Sequence, residues 1–156
     1  MIVKLEVSSY DPQRPAFGLR KRILLVDDHQ VVRSGTRAML SDSRPNWEIC
    51  GEAADGEGAV EAVKRLTPDI VVLDVTMPGM SGFEVARLIK ELGYKTRIIM
   101  FSMHDSAGFI GEARHVGADG YVLKSQAGRD LVKAIESILS GGAVFPSHSG
   151  EAESSS

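Results

Sequence analysis

From residue 22 onward, short runs of branched apolar residues alternate five times with stretches of helical period. That alternation restricts the chain to parallel strands joined by helical crossovers, an α/β architecture. The strands are expected near 22–27, 47–53, 69–74, 96–102 and 120–124. Runs such as ILLV, IVVL and IIMF are continuously apolar, the pattern of strands covered on both faces. Between them, Val31, Val32, Gly35 and Met39 recur at helical spacing, as do Val60, Val63 and Leu66. Val85, Ala86, Ile89 and Leu92 mark a third helix, and Leu131, Ala134, Ile135 and Ile138 a fifth. Each set is one apolar stripe that a helix can lay on a sheet. The fourth helix, near 106–116, carries Gly108 and Gly111, each costing about 1 kcal/mol relative to alanine. It is the expected mobile element.

Four of the runs stop at a polar residue suited to phosphoryl chemistry: Asp27 and Asp28, Asp74, Ser102, and Lys124. Parallel strands place their carboxyl ends on one edge, and a doubly wound sheet binds ligands in the crevice there, at its switch point between strands 1 and 3. Two carboxylates about 5 Å apart repel by roughly 3 kcal/mol at an effective dielectric of 20, so three need a counter-charge. Lys124 offsets one. Clustered oxygen donors on loops also suit Mg²⁺, which binds through one or two carboxylates and keeps several waters. In this reading Asp28 and Asp74 are direct ligands, Asp27 acts partly through water, and the backbone carbonyl of Thr76 adds an oxygen. For Asp28 alone a helix N-cap is the competing role.

Asp74 precedes VTMPGMSG, whose Pro78, Gly79 and Gly82 enforce a turn and hold the carboxylate at a loop mouth. A carboxylate so held can attack phosphorus and become an aspartyl phosphate. Ser102 would hydrogen-bond one phosphoryl oxygen and the Lys124 ammonium would pair with another.

These residues carry a resemblance. VDDHQVVRSG, VVLDVTMPGMSG, FSMHD and GADGYVLKS resemble the receiver domain of two-component response regulators, of the NarL/FixJ (LuxR-type) subfamily, over about residues 22–145. The resemblance implies a flavodoxin-like (CheY-like) five-stranded parallel sheet in the order 2-1-3-4-5 with helices on both faces. It implies Asp74 as phosphoacceptor, Asp27 and Asp28 as the acidic pair, Ser102 as the switch hydroxyl, Lys124 as the conserved-type lysine and Tyr121 as the switch aromatic. A sensor histidine kinase would supply the phosphoryl group, and a shift of the α4-β5-α5 face would carry the output. Such a domain is a phosphoacceptor with at most weak self-phosphorylation and self-dephosphorylation, not an enzyme. One departure is Ser125, where many receivers have proline after the lysine.

Residues 1–20 are expected to be an N-terminal extension, 21–145 the receiver, and 146–156 a disordered polar tail. VKLEV in the extension alternates as a half-buried strand would, able to pair with a free sheet edge; a frayed leader is the alternative. The subfamily usually continues into a helix-turn-helix domain. None follows in this sequence, so DNA contact is expected only through such an absent domain, and the expected output is homodimerisation or docking on another protein. A net charge of −3 argues against DNA binding by the receiver itself. The single cysteine, Cys50, and the lack of an apolar span of membrane length fit a cytoplasmic protein without membrane attachment.

Two other functions compete. An aspartate-nucleophile, Mg²⁺-dependent phosphatase of the haloacid dehalogenase type would need a second Asp where Thr76 stands. A flavin carrier of the same fold would need a first loop that welcomes phosphate, and Asp27 and Asp28 repel it.

Overall fold

The computed structural model describes residues 20–147; the expectations for the VKLEV strand and for the tail beyond Ser147 lie outside the described residues. Five strands, β1 (Lys21–Val26), β2 (Trp47–Ala53), β3 (Ile70–Asp74), β4 (Arg97–Ser102) and β5 (Gly120–Leu123), form one parallel sheet in the order β2-β1-β3-β4-β5. Helices α1 (Gln30–Ser41), α2 (Gly56–Leu66), α3 (Gly82–Glu91), α4 (Ala107–His115) and α5 (Ala127–Leu139) connect and follow them. All five expected strands are present, within one residue at each end.

The pleat sorts side chains into two cores. Leu24, Val26, Val71, Leu73, Met100 and Tyr121 face one side, packed with residues of α2, α3 and α4 such as Val63, Ile89 and Ile110. Ile23, Leu25, Val72, Ile99, Phe101 and Val122 face the other, against Leu40 of α1 and Leu131, Ile135 and Ile138 of α5. Strands that bury both faces need apolar residues at every position, which is why their runs do not alternate.

Two helix stripes differ from expectation. Val31 is 84% exposed, and Gly35 also faces solvent, while Thr36 and Leu40 are the buried positions of α1. Leu92 caps α3 and is 50% exposed. Val31 sits in the first turn of α1 and Leu92 at the C-cap of α3, whereas Gly35 lies mid-helix on the solvent side. The weak α4 forms nonetheless. Its N-cap Ser106 accepts a hydrogen bond from the Phe109 N–H, and Ile110 and Ala113 are its only buried side chains.

The β3–α3 connection is tight. The Gly82 N–H donates to the Val75 carbonyl at 2.8 Å, and Ser81 and Glu84 form a reciprocal capping box at the start of α3. A Cβ on Gly82 would lie 2.1 Å from the Asp74 carbonyl oxygen and 2.9 Å from the Val75 Cα, both backbone atoms that cannot step aside. Gly82→Ala is therefore expected to destabilise the fold by about 1–3 kcal/mol, the usual cost of overpacking. Urea denaturation of the two proteins side by side measures it, and an unchanged midpoint would contradict the close approach.

Candidate functional site

Strand register builds the site. Val26 is paired with Leu73, and Asp74 with Phe101, so Asp27, next after Val26, comes level with Asp74 at the carboxyl edge. Ser102 is paired with Leu123, which puts Lys124 one step beyond on the neighbouring strand. Pleat alternation then directs Asp27, Asp74 and Lys124 to the α1/α5 side and Ser102 and Tyr121 to the α4 side.

The Lys124 ammonium lies between two carboxylates, 2.7 Å from Asp27 Oδ2 and 3.2 Å from Asp74 Oδ1. Both aspartates are almost fully buried, at 3% exposure each. Asp74 Oδ1 also accepts the Thr76 N–H at 3.3 Å. Burial pushes the Asp74 carboxyl up to about 6; Lys124 pulls against this and Asp27 adds to it. For Lys124 burial acts downward, but its contacts with Asp27 and Asp74 outweigh that and leave it above the ordinary lysine value.

Asp28 does not cap α1. The N-cap position is His29, without a side-chain cap bond. The Asp28 Oδ1 oxygen is buried and has no hydrogen-bond partner. It lies 3.2 Å from His29 Nδ1, an ion pair only when the imidazole is protonated. An orphaned buried carboxylate oxygen is costly unless a cation completes it. Ligand atoms of Asp27, Asp28, His29 and Asp74 all fall within 4.8 Å of one another, a donor set rich in oxygen that fits a hard divalent ion such as Mg²⁺.

Ser102 and Tyr121 are also buried. The Ser102 Oγ accepts the His104 N–H at 3.0 Å, and the Tyr121 hydroxyl donates to the His104 carbonyl at 2.5 Å. Tyr121 thus turns inward, its hydroxyl held by backbone, and burial raises its pKa. The His104 ring stacks on Phe109, with centroids 4.4 Å apart, so this loop reaches Ser102 and Tyr121 through its backbone. Thr76 is exposed, and its contact with Asp74 is through N–H. Lys124–Gln126 makes a single 3₁₀ turn into α5, and the described residues contain no cis peptide bond.

The structure thus gathers Asp27, Asp28, Asp74 and Lys124 directly and joins Ser102 to Tyr121 through one loop. In the sequence His29 flanks the site only as a loop residue, and Arg33 carries no role. His29 pairs with both acidic residues, its Nδ1 3.3 Å from Asp27 Oδ1, and its N–H donates to that same oxygen at 2.9 Å. Arg33 donates to the Asp27 carbonyl at 2.7 Å and to Glu52 at 2.8 Å, tying α1 to the site and to β2. The signal for Arg33 was its place one helical turn after His29.

Comparison with known proteins shows the family. Residues 23–136 match the family model described as response regulator receiver domain. The nitrate/nitrite response regulator protein NarL of Escherichia coli (strain K12) is 38% identical over 119 residues, covering 76% of this chain and 55% of that protein. The chain spans about half the length of the curated relatives it matches. The crystal structure of a LuxR-family two-component response regulator from Aurantimonas sp. SI85-9A1 superposes with a TM-score of 0.76 at 44% identity, covering 80% of this chain and 89% of that one. The response regulator domain of Thermotoga maritima CheB gives 0.71 at 30% identity, with coverage of 78% and 97%. The phosphatase alternative finds no support among these relatives. Among the described residues, no helix is long and apolar enough to cross a membrane.

The raised pKa of Asp74 has a stability consequence. Because the folded state holds its proton more tightly than the unfolded chain, this contribution is full below pH 3.8 and is lost as pH rises through about 6. The elevation corresponds to roughly 3 kcal/mol at most, and an effective dielectric well above that of a dry interior brings the expected effect to about 1–2 kcal/mol. In EDTA, Asp74→Asn should therefore be more stable than the parent by that amount at pH 8, with the gap closing near pH 4. Thermal melts across that range check it, and added Mg²⁺ should narrow the gap at pH 8 by stabilising the parent.

Proposed function

This chain belongs to the response regulator receiver domains of two-component systems, of the NarL/FixJ (LuxR-type) subfamily, and from that premise we propose that it accepts a phosphoryl group on Asp74 from the phosphohistidine of a sensor histidine kinase. The observation that carries the reading is the Lys124 ammonium between Asp27 and Asp74, beside the orphaned oxygen of Asp28.

Both contacts to Asp74 fall on Oδ1, which leaves Oδ2 to attack phosphorus. With a pKa of about 6, Asp74 is mostly ionised near neutral pH and retains its nucleophilicity. As the new P–O bond forms, the donor's P–N bond breaks and the imidazole leaves. Lys124 then exchanges its contact with Asp74 for one with a phosphoryl oxygen, keeping Asp27 as its fixed partner. Asp28 and Asp74, with Asp27 partly through water and the Thr76 carbonyl, would hold Mg²⁺. When bound, the ion supplies positive charge against the phosphoryl oxygens during transfer.

Ser102 is the hydroxyl that would hydrogen-bond the phosphoryl group, and Tyr121 the aromatic that reports it. With Tyr121 already inside, phosphorylation acts by stabilising one of two packings of the β4–α4 loop and of the α4-β5-α5 face. The same face would present the output, to a second copy or to another protein. In longer relatives the output would pass to a DNA-binding domain.

Acetyl phosphate with Mg²⁺, followed by intact mass, tests the reading. One phosphoryl group per chain is expected, with none in EDTA and none in Asp74→Asn. Lys124→Met should keep the fold and lower the labelling rate by at least about tenfold, the scale of one charge-stabilising group. Labelling that survives in Asp74→Asn would move the acceptor elsewhere.

A further inference from the structure

Helix α5 ends in a turn that reverses the chain. The Gly141 N–H donates to the Ile138 carbonyl and the Gly142 N–H to the Ser137 carbonyl, both at 2.9 Å, a Schellman motif with Gly141 at φ +102°. The returning segment runs beside β5, whose outer edge would otherwise expose unpaired backbone. Val144 forms a parallel bridge with Gly120. Its N–H donates to the Asp119 carbonyl at 3.0 Å, and its carbonyl accepts the Tyr121 N–H at 2.9 Å. Gly120 makes room: a Cβ there would sit 2.9 Å from the Val144 oxygen. Val144 packs on the core of α1 and α5, Phe145 on the opposite core, and the Arg114 guanidinium of α4 lies 4.1 Å over the Phe145 ring. Residues 143–145 thus join β5 to both α4 and α5, beside a groove of about 730 Å³.

Tyr121 connects this strap to the acidic site. Its N–H is held by Val144 and its hydroxyl by the His104 carbonyl, while the His104 N–H is bonded to Ser102 Oγ. Hydrogen bonds therefore run without interruption from Ser102 through His104 and Tyr121 to Val144. Resting on the phosphoacceptor reading above, we propose that Ala143–Phe145 is an intramolecular docking segment for the β5 edge, and that phosphorylation of Asp74 tightens its seat.

The direction follows from the hydroxyl's inventory. A serine oxygen accepts and donates at once, so Ser102 can keep the His104 N–H while turning its own proton to a phosphoryl oxygen. The second bond fixes the hydroxyl and, through His104, the position in which Tyr121 is held against the strap. Coupling is reciprocal: whatever lifts the strap weakens the phosphorylated state by the same factor. A partner that pairs with the β5 edge must displace Ala143–Phe145 and so opposes phosphorylation.

Amide hydrogen exchange at Tyr121 and Val144, with and without acetyl phosphate and Mg²⁺, reads the coupling, with intact mass taken on the same samples. Exchange at both amides should slow by at least about fivefold, the lower range of measured couplings. In Ser102→Ala, compared with the parent at equal phosphoryl occupancy by intact mass, this protection should be lost. Val144→Pro, which removes the donor to Asp119, should weaken binding of the phosphoryl mimic beryllofluoride by the same factor. Phe145→Ala, a milder change that spares the backbone bonds, should shift it in the same direction by less. Phosphoryl uptake with unchanged or faster exchange at Val144 would overturn the strap coupling and leave the phosphoacceptor reading intact. Failure to take up a phosphoryl group at all would remove the reading itself and the coupling with it.

Discussion

Three carboxylates at one sheet edge repel one another, and the ammonium of Lys124 is the nearest charge that balances them. It does so incompletely. Asp74 remains hard to ionise, and an oxygen of Asp28 remains without a hydrogen-bond partner. The imbalance is what makes the edge useful. A site fully neutral without ligands would gain little from a cation or from covalent phosphate, whereas this one keeps an unpartnered Asp28 oxygen beside Asp74.

The sheet also separates two jobs. Asp27, Asp74 and Lys124 stand on the side covered by α1 and α5, and Ser102 and Tyr121 on the side covered by α4. Charge is therefore handled on one face, while the groups fit to report it are packed in the other core. The His104 backbone, spanning Ser102 and Tyr121, is the short path along the second face. Because its contacts are peptide groups, the identity of the side chain at 104 matters less there than its position.

Much of this was legible in the sequence for a definite reason. Strands buried on both faces must be apolar throughout, so their ends are sharp, and the polar residue that follows each run is at the rim almost by construction. What was less legible depended on direction. Val31 read as core because it is apolar at the right spacing, yet the first turn of α1 points it outward, and Thr36 is buried in the stripe instead. His29 looked like a loop residue because nothing in its spacing signals that Asp27 folds back to meet its N–H. Ala143–Phe145 was invisible as structure: three residues after two glycines carry no period, and only the unpaired edge of β5 gives them a place.

The absence of a side chain at position 82 has a wider consequence. With the first turn of α3 resting on the Asp74 carbonyl, any shift of that helix end presses on the Asp74 backbone. Fraying there would let the peptide plane under Asp74 tilt. Ser81 and Glu84, which close that helix end, thereby contribute to the stiffness of the proposed acceptor, Asp74, at a distance from its carboxylate.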